Sequence, residues 1–287
     1  MEQGCPCCND SKVKFFTNRQ EYDYFSCKRC ESIFISPDIL EKIDNGYSVM
    51  TYDEGYWKTE LASSFERSYG VALARMSEVF YYARSQINRF IDIGTGPGYF
   101  LDAIHKLLPD KAHIFYGIEK FPPSDLENRT KHENYFIGDM DVFKTEKFDA
   151  GMCIEVIEHI TPNMLKSLLS NLALISNENA VYLFNTGMPD YVVNEDNEYL
   201  DPHKRGHIVS YSLKAINILA SQFGFKTHSI RGKTWAFILE FKPNHKTSVE
   251  MVDRIWTAVP ENLQTLTDKN MGSVLRLLGM ETSRAYY

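Results

Sequence analysis

Apolar positions along this chain follow two periods that alternate. Leu61, Phe65, Tyr69, Ala72, Met76, Phe80 and Ala83 recur three or four residues apart, which predicts one amphipathic helix over 62–86. Short apolar runs then take over: Phe90-Ile91-Asp92-Ile93, 113–118 ending in Glu119, 135–137 running into Gly138-Asp139, 148–154 ending in Glu155, and 181–184 running into Asn185. Helical spacing returns between them at 99–108 and 164–174, and again at 212–223 before two further strands, 225–230 and 234–241. Strands alternating with helices predict an α/β fold built on a doubly wound, mostly parallel sheet. In such sheets ligands bind beyond the carboxyl ends of the strands, so the polar residues that end successive runs should converge on one crevice.

The flanks differ from this core. The stretch 38–57 is polar and tyrosine-rich with Gly46 and Gly55 as breakers, and reads as a connector whose Tyr52, Tyr56 and Trp57 either form a lid or simply pack the linker down. Residues 187–205 read as a long polar loop, in which Tyr191, Asn194, Glu195, Asp196 and Tyr199 either hydrogen-bond a polyol substrate or stand in solvent. In the tail, Val249, Val252, Ile255 and Trp256, then Leu263, Leu266, Met271, Val274, Leu275 and Leu278, have helical spacing. That tail would pack on the amino-terminal helix or form the seam of a homodimer. The expected divisions are 1–37, 38–87, 88–242 and 243–287.

The sharpest local signal is the stop after Ile93. Gly94, Gly96 and Gly98 follow the strand at once, and an amphipathic helix begins at Tyr99. Glycine admits positive φ and lets a ligand lie against the backbone, while the helix start offers unpaired N–H groups. The dinucleotide fingerprint asks for a small residue where Tyr99 stands, which argues against NAD. A net charge of -7 argues against a general nucleic-acid binder and favours a small-molecule acceptor. No apolar run is long enough to span a bilayer and no leader pattern opens the chain, so the expected location is cytoplasmic, away from membranes.

Five of the six cysteines fall in the first thirty residues. Cys5, Cys8, Cys27 and Cys30 form C-x2-C-x18-C-x2-C, the spacing of a structural zinc ribbon over 1–37, with Cys7 the spare thiol. Four thiolates satisfy tetrahedral zinc with no open position, and so short a segment needs the metal to fold. A disulfide framework is the alternative, and the expected intracellular setting opposes it.

The run Asp92-x-Gly94-x-Gly96-x-Gly98, followed in order by acids after the next strands, resembles motif I and its successors in the class I S-adenosylmethionine-dependent methyltransferases, over roughly 89–241. The amino-terminal cysteines resemble those of a bacterial subgroup that carries a zinc ribbon ahead of that domain. The resemblance implies a seven-stranded sheet closed by an antiparallel hairpin, with a carboxy-terminal helical extension. It implies S-adenosylmethionine as cofactor, with Asp92 and the Gly94, Gly96 and Gly98 turn at the methionyl part. Glu119 would take the ribose hydroxyls, Asp139 the adenine amino group, Met140 would lie against the ring, and Cys153 to Glu155 would line the sulfonium end.

Glu155-Val156-Ile157-Glu158-His159 is E-x-x-E-H, whose acids and histidine on a helical turn could all face one point. A similar motif, completed by a later histidine, binds a divalent ion in ubiquinone-pathway O-methyltransferases and in small-RNA 2′-O-methyltransferases. Here His207 is the matching histidine and His203 a poorer substitute. Two readings stand side by side: Glu155, Glu158, His159 and His207 hold Mg, Mn or Zn, or His159 or His207 acts directly as base with Glu158 beside it. The expected activity is methyl transfer to a small polar acceptor, at oxygen of a sugar or secondary metabolite. RNA 2′-O-methylation and a non-catalytic interaction protein are the alternatives.

Overall fold

The computed structural model describes residues 4–244 and 251–279. The chain opens with three antiparallel strands, β1 (Val13–Arg19), β2 (Tyr22–Cys27) and β3 (Ile33–Ile35), followed by helices α1 (Pro37–Asp44), α2 (Glu54–Tyr69) and α3 (Val71–Tyr82). The alternating part then runs β4 (Phe90–Ile93), α4 (Tyr99–Leu107), β5 (Phe115–Glu119), β6 (Tyr135–Ile137), β7 (Phe148–Ile154), α5 (Pro162–Leu174) and β8 (Ser176–Asn185). After α6 (Pro189–Asn194), β9 (Val209–Ser210) and α7 (Leu213–Ala220) come β10 (Phe225–Ser229) and β11 (Ala236–Phe241), and the tail carries α8 (Pro260–Leu266) and α9 (Lys269–Leu277).

Seven strands form the main sheet in the order β10-β11-β8-β7-β4-β5-β6. The five from β8 to β6 are parallel, and β11 and β10 close the other edge antiparallel. β4 lies at the centre, buried along its whole length as a parallel strand covered on both faces must be. Alternate residues feed two cores: Ile91, Ile93, Tyr182 and Phe184 face the small sheet, α5 and α7, while Phe90, Val181 and Leu183 face α3, α4 and the tail.

Three sequence expectations change. The single helix over 62–86 is two helices, because Gly70 caps both α2 and α3 with a non-helical backbone, and apolar spacing carries on across so short a break. The 38–57 connector contains α1 and the first turn of α2: Pro37 opens α1, and the Asp53 carboxylate accepts the Tyr56 N–H at 3.1 Å. The 187–205 loop contains α6. The small sheet also has a fourth strand from far along the chain, β9, which pairs antiparallel with β3. In the tail, Met271 and Leu266 are buried against α3, with Val274, Leu275 and Leu278 packed beside them, whereas Trp256 is 84% exposed and Val249 lies outside the described residues. Among the described residues no helix is long and apolar enough to cross a membrane.

Candidate active site

The glycine turn joins β4 to α4 at the centre of the sheet. Gly94, Gly96 and Gly98 have φ of +74°, +59° and +82°. A Cβ on Gly94 would overlap a Val156 methyl, and one on Gly98 would overlap that of Thr130, so no larger residue fits either place. Glu119, the last residue of β5, clamps the turn: its Oε2 accepts the Gly96 N–H at 2.8 Å and its Oε1 the Phe121 N–H at 2.8 Å. Each oxygen keeps a further lone pair for a ligand hydroxyl. Burial holds the Glu119 carboxyl above its ordinary pKa and pushes that of Asp92, 5% exposed on β4, up to about 7. Asp139, after β6, is exposed and accepts two hydrogen bonds from Lys120 Nζ at 3.0 Å, with Met140 buried behind it.

Residues 52–57 cover this end of the sheet. Trp57 lies over Gly96, and its indole N–H donates to the Phe121 carbonyl at 3.0 Å. Tyr52 stacks on Phe121 with ring centres 5.7 Å apart and meets His159 edge-on at 6.1 Å. Burial raises the pKa of its hydroxyl, with Glu158 and Glu119 both near enough to add to the effect. A strap of aromatic rings therefore links the glycine turn to the acid–histidine run. An open concavity of about 650 Å³, lined by Asn88, Arg89 and Lys147, lies at the opposite, amino end of the strands, away from this chemistry.

After β7 the backbone turns sharply at Glu155, whose φ is +53°. Asn185, ending β8, holds that turn: its carbonyl accepts the Glu155 N–H at 2.9 Å and its Nδ2 donates to Glu155 Oε1 at 2.6 Å. A single 3-10 turn, Ile157–His159, then brings Glu158 and His159 inward, where His207 meets them from the segment before β9. One ligand atom from each of Glu158, His159 and His207 lies within 4.8 Å of the other two. Glu155 does not come within that distance of all three, but its carboxyl stands close enough to Glu158 to raise the Glu158 pKa.

Glu158 is fully buried, yet neither carboxylate oxygen has a hydrogen-bond partner among the described residues. His159 Nε2 and His207 Nε2 stand 4.0 and 3.9 Å from its Oε1, too far for hydrogen bonds. The other ring nitrogens are engaged: His159 Nδ1 faces the Gly206 carbonyl at 3.2 Å and His207 Nδ1 the Tyr199 carbonyl at 2.7 Å. A carbonyl only accepts, so the network assigns the proton to Nδ1 and leaves both Nε2 lone pairs toward Glu158. Burial holds both imidazoles neutral, with pKa values pushed down to about 4 for His159 and about 2 for His207. Burial likewise drives Glu158 well above the carboxylate range, the neighbouring Glu155 adding to it. A buried acid without a donor is costly, and two neutral nitrogens beside it make a donor set that a divalent cation fits.

The four cysteine sulfurs of Cys5, Cys8, Cys27 and Cys30 also converge within 4.8 Å of one another. Cys5 and Cys30 are 3.5 Å apart and Cys8 and Cys27 3.6 Å, while the Arg29 and Cys30 N–H groups point at Cys27 Sγ at 3.3 and 3.5 Å. The Cys30 hydrogen bond raises the Cys5 pKa and the same bond lowers that of Cys30. Four converging sulfurs with backbone donors to one of them fit a tetrahedral metal. Cys7 is buried beside the cluster but outside it.

Residues 62–230 match a family described as a methyltransferase domain. The chain belongs to this family. It is an S-adenosylmethionine-dependent methyltransferase, with the family's sheet of five parallel strands and an antiparallel closing pair. Among solved structures the methyltransferase is similar to Streptomyces venezuelae DesVI, at 16% identity and TM-score 0.47 over 63% of this chain and 97% of that one. It is also similar to a SAM-dependent methyltransferase from Archaeoglobus fulgidus, at 18% identity and TM-score 0.45 over 78% and 94% of the two chains. A third likeness is to an amino pentose methyltransferase of calicheamicin biosynthesis from Micromonospora echinaspora, at 13% identity and TM-score 0.42 over 71% and 96%. No curated protein matches the sequence.

In the methyltransferase, then, Asp92, the three glycines, Glu119, Asp139 and Met140 stand along the ends of β4, β5 and β6, and Glu158, His159 and His207 form a second group beyond β7. His203 is not part of it: its Nε2 lies 3.0 Å from Glu21 on the surface. The polar loop side chains are largely committed to the fold. The Tyr199 hydroxyl accepts the Gly187 N–H at 2.7 Å, Asp196 pairs with Arg205 at 2.6 Å, and Glu195 accepts from Thr234. Sequence reasoning missed Asn185 as the brace of Glu155 and Tyr24, whose hydroxyl bonds the His207 carbonyl at 2.6 Å. Neither carries a motif, since each acts through contacts made by distant pairing.

Proposed function

We propose that this methyltransferase transfers a methyl group to a hydroxyl of a small polar acceptor, a sugar or secondary metabolite, between the glycine turn and the Glu158, His159 and His207 cluster. S-adenosylmethionine supplies the methyl group as a sulfonium with a neutral leaving thioether. Glu119 and Asp139 are the acceptors for its ribose and adenine donors, Met140 is the apolar surface behind Asp139, Asp92 and the Gly94, Gly96 and Gly98 turn hold its methionyl part, and Cys153 and Glu155 line the reacting end. Tyr52 and Trp57 exclude water from the space between. Holding the two reactants in line can supply about 7–11 kcal/mol of the barrier.

The observation that carries the acceptor site is Glu158, a fully buried carboxyl with no hydrogen-bond partner among the described residues, facing the Nε2 atoms of two imidazoles at 3.9 and 4.0 Å. Glu158, His159 and His207 would hold a divalent ion such as Mg, Mn or Zn, which lowers the pKa of an acceptor hydroxyl. Glu155, braced by Asn185, sits beside them and orients Glu158. Without an ion, His159 or His207 would have to take the hydroxyl proton itself, a step that the burial lowering both imidazole pKa values opposes. The cysteine cluster would hold a structural zinc ion in a ribbon at 1–37, ahead of a catalytic domain at 88–242 with connecting helices before it and a helical extension from 243 onward. RNA is the weaker acceptor because of the net charge of -7.

Calorimetry with S-adenosylmethionine, run on wild type and Glu119→Ala, tests the cofactor site; labelled-methyl transfer to an acceptor panel, with and without chelator, tests the cluster. Heat of binding that falls at least tenfold in affinity in Glu119→Ala is expected. Turnover unchanged by removing every divalent ion would exclude the ion and leave the histidines as base.

A further inference from the structure

One of the three cluster residues is held in place by the cysteine-bearing sheet. His207 lies just before β9, the fourth strand of that sheet. Its carbonyl accepts a 2.6 Å hydrogen bond from the hydroxyl of Tyr24, a fully buried residue of β2. The next residue faces both ways: the Ile208 N–H donates to the Glu158 carbonyl at 2.8 Å, and the Ile208 carbonyl accepts the Ile35 N–H of β3 at 2.8 Å. Val209 and Ser210 then pair with Phe34 and Ile33. Ser212 ends the contact, its N–H donating to Ser32 Oγ at 2.9 Å and its hydroxyl to the carbonyl of Cys30, a member of the cysteine cluster. Residues 207–212 are thus clasped between the backbone of Glu158 on one side and the cysteine sheet on the other.

We propose that the cysteine ribbon is a positioning device for the active site: through Tyr24 and β3 it sets His207 against Glu158 and His159, so that metal in the ribbon and order in the acid–histidine cluster are energetically coupled. The proposal rests on the reading of Glu158, His159 and His207 as a functional group. The physical argument is local. A ribbon of this size folds on its metal. Emptying it removes the order of β3, and with it the partner of β9 and the donor to the His207 carbonyl. The pairing of β3 with β9 is the element with two states, formed or open, and both sites favour the formed one. Coupling of this kind is reciprocal, so an ion at the acid–histidine cluster must also tighten the ribbon on its own metal. Tyr24 is a positioning residue, acting only through the backbone of His207.

Hydrogen–deuterium exchange on the full chain tests the coupling without using activity. It compares zinc-loaded wild type, zinc-loaded Tyr24→Phe, and wild type whose ribbon metal has been removed with a chelator. The phenylalanine keeps the ring and its packing and removes only the hydroxyl. Faster exchange over 207–210 is expected in both altered proteins, with the zinc content of Tyr24→Phe unchanged and its affinity for S-adenosylmethionine the same as wild type. Cobalt titrated into the zinc-loaded chain should bind Tyr24→Phe about tenfold more weakly than wild type, as followed by its visible absorption. Unchanged exchange over 207–210 in Tyr24→Phe would overturn the proposal, even if metal removal unfolds the chain as a whole. If wild type takes up no cobalt beyond the cysteines, the metal reading of the cluster fails, and the exchange result still decides the coupling.

Discussion

The cysteine cluster and the strand-end crevice hold their buried polar groups in opposite ways. At the cysteines four sulfurs converge within 4.8 Å of one another, and backbone N–H groups point at Cys27 Sγ. At the crevice, Asp92 and Glu158 are buried acids pushed toward their neutral forms, and neither Glu158 oxygen has a partner at hydrogen-bonding geometry among the described residues. A closed set of matched ligands suits a group that stabilises the fold. An incomplete one stores unfavourable burial that a ligand relieves, which suits a group that binds and reacts. The two differ in origin as well. The cysteines come from two turns within 26 residues of chain, whereas His207 reaches Glu158 from 49 positions away.

If this contrast is right, substitutions in the two places should move stability in opposite directions. The largest effect is expected for Cys30→Ser, which should release the metal proposed for the cysteines to a chromophoric chelator and lower stability by about 4–5 kcal/mol in a denaturant titration. Full retention of metal and stability would erase the distinction. Next is Asp92→Asn. The folded-state pKa of Asp92 is raised to about 7 from an ordinary 3.8, so its contribution is fully present below 3.8 and is lost as pH rises through 7. Removing the charge should therefore leave stability near wild type at pH 4 and raise it by up to about 4 kcal/mol at pH 8, while weakening S-adenosylmethionine binding. Denaturant titrations at the two pH values check the sign. Smallest is Glu158→Gln. Wild type should gain about 2.7 kcal/mol from a divalent ion at a hundredfold excess over its dissociation constant, and Glu158→Gln should gain nothing, as thermal melts with manganese would show. An equal gain in both would place the ion elsewhere.

Much of this was legible in the chain itself, because the signals were local. A strand, three glycines and a helix must turn tightly whatever surrounds them, and Gly94 and Gly98 sit where any Cβ would collide. The hairpin of β10 and β11, the alternation of the core strands and the two C-x2-C turns followed the same rule. Where the reading slipped, a single residue interrupted a period: Gly70 breaks the helix expected over 62–86, and Pro37 begins a helix as well as ending a strand. Glu155 shows the limit most clearly. Spacing places it with Glu158 and His159, and what spacing does not show is that it takes a positive φ and is braced by Asn185, a residue of another strand, beside Glu158.

Composition, periodicity and motif spacing determined the fold class, the crevice and the residue types available for chemistry, since each depends on neighbours within a few turns of chain. The tertiary structure brought His207, the histidine expected from the sequence, to Glu158 and His159, and it alone decided that Nδ1 of each imidazole faces a backbone carbonyl and that Glu158 is buried with no hydrogen-bond partner among the described residues. It also decided that the cysteine sheet borrows β9 and grips His207. Those facts depend on strand pairing and burial between segments as far as 183 residues apart, as between Tyr24 and His207, and no local pattern encodes them.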